Sequence, residues 1–400
     1  VPDHPTRSDI ALTDGRWYET HPHQAYAWMR ANAPVYFDET GGVWGIANHA
    51  DVKAISKQPE RFSNSGGIRP DAGAMPMMID MDDPAHWSRR KLVNRGFTPR
   101  RVRDSEPAVR AACTEILDAV CERGEADLVR DIAAPLPMIM IGDALGVAPE
   151  DRADLLRWSD DMVTSQSGGA DDEAFIRAGE AFAAYQHYAT RIIAERRAEP
   201  RDDLMSILVD AEVDGDRLSD EEIIWESLLI LVGGDETTRH VISEGVLALL
   251  RNPDQLADLR ADPALLPGAV EEFLRWVTPI KNMCRTVMAD TTFGGQRLLA
   301  GQKLMLLYHS ANFDESVFDN PMRFDIRRSP NDHVAFGFGS HFCLGNSLAR
   351  LEIRVMLEEL LTRLPDLRLT DPDATVPFRP ATFITGPEHI PVTFTPSARS

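Results

Sequence analysis

Residues 336–352 read FGFGSHFCLGNSLARLE, which sets Cys343 among glycines and phenylalanines just before a helical pattern. A thiol placed there can serve in four ways. A phosphate loop of the GxGxxG type fails, because its third glycine would stand where Phe342 is and no strong strand precedes it. A nucleophile needs a base, and His341, two residues away, points in a different direction from Cys343. A small buried hydrophobe is the ordinary fate of a lone cysteine. The fourth use is metal ligation. Leu344, Leu348, Leu351, Val355 and Leu361 share one helical face, so the sulfur lies at a helix N-terminus, where free amides and the dipole favour thiolate. Gly337, Gly339 and Gly345 let backbone approach a large flat group, and Phe336, Phe338 and Phe342 supply apolar walls. On the residues alone, the last two uses both stand.

Two further constellations carry chemistry. In LLILVGGDETTRH, residues 228–240, an apolar helix acquires two glycines, two acids and two threonines. Each interior glycine costs roughly 1 kcal/mol against alanine, so the helix is weakened and a kink is expected there. The structural alternative is a glycine that admits a neighbouring helix. Glu272 and Arg275, three apart on one helix face, make an ordinary surface pair contributing about 0.3 kcal/mol if isolated.

The spacing F336xxG339xxxC343xG345 resembles the haem-binding signature of the cytochrome P450 monooxygenases, whose cysteine thiolate is the proximal iron ligand. That resemblance extends from about residue 10 to the end. It implies a mainly α fold with small β-sheets, in which a large helical domain and a small β-rich region form a single domain over 1–400, with haem b between distal and proximal helices. It assigns Cys343 to the iron, with Phe336, Gly337 and Gly345 against the haem. Gly234, Glu236 and Thr237 match the family's oxygen-activation motif, Glu236 as proton-relay acid and Thr237 as the hydroxyl that holds O2. Arg328 in RFDIRR would join Glu272 and Arg275 in a buried triad. Cations for the haem propionates would be His86, Arg90, Arg285, His333 and His341.

Substrate contacts implied by the resemblance are Met75, Met77, Met78 and Ile79, then Leu229, Val232 and Gly233, then Ile280 and Met283, then Phe383 and Ile384. Nearly all are apolar, which suits a long hydrophobic molecule. Stretches such as GGIRPDAGAMPMMIDMDDPAH and IKNMCR are similar to those of actinobacterial members that hydroxylate the terminal methyl (26/27) of the cholesterol or cholestenone side chain, with onward oxidation to the acid. Hydroxylation of another lipid, such as a fatty acid or terpenoid, is the alternative within the family. A non-catalytic haem-thiolate sensor is the alternative outside catalysis, and it would not need Glu236 and Thr237. Electrons are expected from NAD(P)H through a reductase and a ferredoxin, with Arg100, Arg101, Arg103, Arg350 and Arg354 as a basic docking face.

The elements that must position these residues are mostly helices, at about 102–123, 150–164, 173–198, 219–250, 266–277 and 344–363. Strand-like pieces occur at 35–47, 303–308 and 390–396. Loops rich in glycine, serine and aspartate interrupt them at 64–76 and 164–172. The chain is 400 residues with 43% hydrophobic content and a formal charge of -21, enough for a large core and repulsive to nucleic acid or an anionic membrane. Four scattered cysteines with no CxxC pair suggest neither disulfides nor a cysteine-rich zinc site. No signal-like or membrane-spanning run is found, so a soluble cytoplasmic protein without a membrane anchor is expected. The run from Asp210 through Glu212, Asp214 and Gly215 to Glu221 nearly matches a calcium loop, but a turn followed by a capping box at Ser219–Glu222 accounts for it.

Overall fold

The Ser219 hydroxyl accepts the Glu222 amide at 3.3 Å, and the Glu222 carboxylate accepts the Ser219 amide at 2.9 Å. This reciprocal cap satisfies two otherwise orphaned donors and opens the longest helix, Asp220–Leu250. The computed structural model of the chain describes residues 4–70, 72–164, 172–213 and 215–399. Within the calcium-like run, Asp210 ends a short helix, Leu204–Val209, and Glu212–Val213 pairs with Asp216–Arg217. Asp214 lies outside the described residues.

The long helix is central and stays α-helical through 233–237. Packing outweighs propensity. A Cβ on Gly234 would lie 2.6 Å from the Ile141 side chain, and one on Gly245 would lie 2.1 Å from Phe273. These glycines therefore admit the helices Pro135–Leu145 and Leu266–Val277 at close range. Val241, Ile242 and Val246 then share one apolar core with Phe273, Leu274, Val355 and Met356, the last two from the helix Asn346–Arg363. Each such side chain, fully buried, stabilises the fold by roughly 1.5–3 kcal/mol.

The segment read as one helix at 102–123 is two, Pro99–Asp104 and Glu106–Asp118. Pro107 lacks an amide hydrogen and disfavours helical backbone at the residue before it, so the chain restarts there. The strand expectations resolve into a five-stranded sheet in the order Val35–Asp38, Val43–Ile46, Lys303–Leu306, Met283–Val287 and Phe62–Ser63. Only the contact of Val43–Ile46 with Lys303–Leu306 is parallel. A second sheet joins Arg368–Leu369, Pro391–Thr393 and Glu125–Asp127. Among the described residues no helix is long and apolar enough to cross a membrane.

Glu272, Arg275 and Arg328 meet in the interior. Both carboxylate oxygens of Glu272 take a fork of Arg275 donors at 2.8 Å, and Arg328 Nε reaches Glu272 at 3.1 Å. The Asp325 amide and the Asn331 side chain complete the carboxylate at 2.8 and 3.2 Å. Arg275 in turn donates to the carbonyls of Asn312 and Pro321 at 2.9 and 3.0 Å. The pair is wholly buried, so every lone pair and proton needs a partner. Arg275→Ala is expected to lower unfolding free energy by about 3–5 kcal/mol, because it strands a buried charge. Urea unfolding followed by circular dichroism measures this, and a loss under about 1 kcal/mol, the size of a surface pair, would contradict it.

Candidate active site

The loop before the helix Asn346–Arg363 is built by two left-handed glycines, Gly337 at φ 70° and Gly339 at φ 79°. A Cβ on Gly339 would lie 2.4 Å from the Ser56 carbonyl oxygen, so only glycine fits that turn. The Cys343 amide donates back to the Phe336 carbonyl at 2.9 Å, closing the loop around the thiol. Burial pushes the Cys343 thiol up, opposed by the Gly345 amide and by the Arg90 and Arg350 guanidiniums. Burial outweighs them.

Cys343 opens into a cavity that the long helix also lines at Gly233, Gly234, Thr237 and Thr238. A Cβ on either Gly233 or Gly345 would meet nothing within 4 Å, so the two walls are bare of side chain where a flat group would lie. Thr237 donates its hydroxyl proton to the Gly233 carbonyl at 2.8 Å. A hydroxyl so engaged keeps its acceptor lone pairs for the cavity.

His86, Arg90, Arg285 and His341 converge on the same cavity. The His86 and His341 rings meet at 4.0 Å with a 32° tilt, His86 Nδ1 meets Asp83 at 3.1 Å, and buried His86 Nε2 has no hydrogen-bond partner. Burial, with His86, Arg285 and Arg90 nearby, lowers His341 to about 2. Such a collection of donors and cations fits an anionic group at the cavity edge. The His341 ring packs against the His86 ring, and no hydrogen bond joins it to the Cys343 sulfur among the described residues, which leaves the nucleophile reading without its base. His333 is the exception among the propionate candidates. Its Nε2 is taken by Glu271 at 3.0 Å, and it does not line the cavity.

A flat dianionic macrocycle with a metal centre therefore fits the thiol, the bare walls and the cationic edge together. Comparison with known proteins agrees. Residues 172–389 match the family described as Cytochrome P450. The chain is 58% identical to a steroid C26-monooxygenase of Mycobacterium tuberculosis, over 97% of this chain and 98% of that protein. A protein of the same name from Mycolicibacterium smegmatis is also 58% identical, covering 98% of each chain. In three dimensions, CYP109E1 from Bacillus megaterium in complex with testosterone superposes with a TM-score of 0.87 at 34% identity, over 94% of this chain and 98% of that one. The chain is a cytochrome P450. Haem is the family's cofactor, and a cysteine thiolate holds its iron.

In this cytochrome P450, Glu236 does not line the cavity. It is wholly buried behind Thr237, with Arg239 at 2.6 Å, Arg379 at 3.3 Å and His240 at 3.5 Å. Burial pushes its carboxyl upward, but Arg239, His240 and Arg379 outweigh that and hold it well below the usual range. Asp160 bridges the same two arginines at 2.9 and 3.7 Å. This network was invisible along the sequence, since Glu236 and Arg379 alone lie 143 residues apart.

Of the substrate candidates, Met78, Ile79, Leu229, Gly233, Ile280 and Met283 line the cavity. Met75, Met77 and Val232 do not, and pack into the helical core instead. Phe383 and Ile384 form a separate cluster with Ile68 behind Ile79, Ile280 and Met283. Ile384 bridges Ile280 through backbone, which places it one layer back. Two buried acids shape the methionine loop: Asp80 accepts the Ile68 and Met75 amides at 2.9 and 2.8 Å, and Glu226 accepts the Met78 amide at 2.8 Å. Phe97, Ile141, Ile230 and Val241 also line the cavity, and no local pattern along the chain marks them.

The expected basic face is largely neutralised. Arg350 is forked onto Glu271, Arg354 bridges Glu106 and Glu358, Arg101 binds Asp202, and Arg100 faces Asp104. No ion pair of Arg103 is found among the described residues.

Glu352, a buried acid that also lines the cavity, is pushed up to about 8 by burial and by Asp235. The folded chain then keeps a proton that the unfolded chain sheds above its ordinary value of 4.5. Stability contributed by this group therefore falls as pH rises from about 4.5 to about 8, by up to roughly 1.4 kcal/mol per pH unit. Glu352→Gln is expected to flatten that slope in urea midpoints taken across this window, and parallel curves for the two proteins would refute it.

Proposed function

We propose that the chain is a haem-thiolate monooxygenase that hydroxylates the terminal methyl (26/27) of the cholesterol or cholest-4-en-3-one side chain, with further turnovers to the carboxylic acid. The observation that carries the monooxygenase reading is that Cys343 and Thr237 line one and the same largely apolar cavity. The steroid reading is supported by the relatives named steroid C26-monooxygenase and by the aliphatic wall of Met78, Ile79, Leu229, Ile280 and Met283.

Haem, when bound, supplies the iron at which O2 is activated. Cys343 provides the thiolate ligand, and His86, Arg90, Arg285 and His341 hold the propionates. Thr237, its proton committed to Gly233, accepts a hydrogen bond from the cavity side. Glu236 is the proton source behind it, and its carboxylate must exchange an arginine for water to take up a proton from solvent. The aliphatic wall excludes bulk water and orients the side chain so that a primary C–H, less reactive than its tertiary neighbour, is the one presented. Electrons come from NAD(P)H through a reductase and a ferredoxin.

The reduced protein under carbon monoxide is expected to show the strongly red-shifted Soret band of thiolate ligation, and Cys343→His to abolish it. A persistent band in that variant would remove Cys343 from the iron. Reconstituted with reductase and ferredoxin, the enzyme is expected to convert cholestenone to its terminal alcohol and acid by mass spectrometry. Turnover of palmitate or a terpenoid with no steroid product would replace the substrate and keep the chemistry. Thr237→Ala is expected to retain haem and substrate binding while diverting NAD(P)H into peroxide. Unchanged product per NAD(P)H would end the role given to that hydroxyl.

A further inference from the structure

Outside the Cys343 cavity, a second cavity is lined by His21, His23 and His309, together with Glu19, Glu244 and Arg251. His21 sits in the turn after the helix Gly15–Glu19, His23 begins the helix His23–Asn32, and His309 lies in the helix Tyr308–Ala311. Ligand nitrogens from the three rings lie within 4.8 Å of one another, the one such group of three or more among the described residues. We propose that these three imidazoles form a binding site for a zinc-type divalent cation, which ties the N-terminal segment to the end of the larger sheet.

The chemistry fits the metal. Tetrahedral zinc bound to imidazole at 2.0–2.1 Å places its ligand nitrogens about 3.3 Å apart, so ring rotations and shifts of about 1.5 Å or less complete the set. Three neutral imidazoles with a fourth position open to the cavity form a familiar type of zinc ligand set. The rings are held near one another by aromatic contacts: His23 and His309 at 4.9 Å, His23 against Phe313 at 4.4 Å, and His21 against Phe378 at 4.3 Å. Buried Nδ1 of His23 has no hydrogen-bond partner, an unmet demand that a ligand would satisfy. Burial keeps His21 at about 4 and His23 at about 3, so both are neutral without losing a proton to the metal.

Nearby cations do not forbid it. Arg30 is paired with Glu315 at 2.7 Å, Arg275 with Glu272 at 2.8 Å, and Lys281 and Arg251 share the field of buried Glu244. His21 also has φ 48°, uncommon for a residue with a side chain, and its ring lies 6.2 Å from the His23 ring and 6.3 Å from the His309 ring. The cross-link would join positions 21 and 309, and so constrain a long stretch of the unfolded chain.

The test uses untagged holoprotein, dialysed against zinc chloride and then against metal-free buffer, with zinc counted by mass spectrometry. One zinc per chain is expected, together with a higher unfolding midpoint in zinc than in chelator. The double variant His21→Ala/His23→Ala is expected to lose both, with its haem Soret band unchanged as proof of folding. His309→Phe, which keeps an aromatic ring in place, is expected to lose both as well. His187→Ala, an exposed histidine elsewhere, is expected to keep both. Background zinc in the unaltered protein, or equal zinc in the double variant, would show that the rings only pack together and would overturn the site.

Discussion

The arrangement depends on one turn of helix that carries two adjacent carboxylates, Glu272 in the interior and Glu271 half-buried beside it. Glu272 collects Arg275, Arg328, Asn331 and the Asp325 amide, so the whole approach to the thiolate loop is fastened to a single buried charge. Arg275 reaches on to the Asn312 carbonyl, and the Asn312 side chain takes the Val334 amide at 2.7 Å, two residues before Phe336. Glu271, next in the chain, holds His333 ahead of Cys343 and Arg350 behind it. Burial alone would raise Glu271, yet those two partners bring it to about 2. Both ends of the loop are therefore referred to the same helical turn, and the sulfur has a fixed address.

Against that fixed floor stands a roof with a different design. The long helix trades propensity for proximity: Gly234 and Gly245 weaken it locally and let Ile141 and Phe273 come within contact range. Apolar packing on both flanks recovers what the glycines forfeit. Behind the roof, acids and arginines form a network in which Arg239, His240 and Arg379 hold the Glu236 carboxyl well below its usual range, while burial pushes Asp235 well above its own. Two neighbouring acids are thus driven in opposite directions within one helical turn, a separation that suits acid and base roles.

What the sequence made legible was local. The thiolate loop, the Glu272–Arg275 spacing and the Ser219 cap are each written within a few residues, and each is found where its spacing puts it. Arg328 was legible only through resemblance, and its bond to Glu272 spans 56 residues. Partnerships without a local signature were not legible: Glu226 with the Met78 amide, Asp160 with Arg239, and the layer order that hides Ile384 behind Ile280. His333 was misplaced for the same reason, since nothing near it in the chain announces Glu271. The arginines read as a basic face failed similarly, because a charge's partner is set by tertiary proximity.

Gly233 differs from the other glycines of its helix in having open space before it. Its carbonyl serves Thr237 through the main chain, which any residue could supply. A side chain added there would protrude into the chamber without disturbing the scaffold. Selection thus has a place to resize the room above the iron one methyl group at a time, altering which carbon of a guest is within reach while the machinery for oxygen is left as it was.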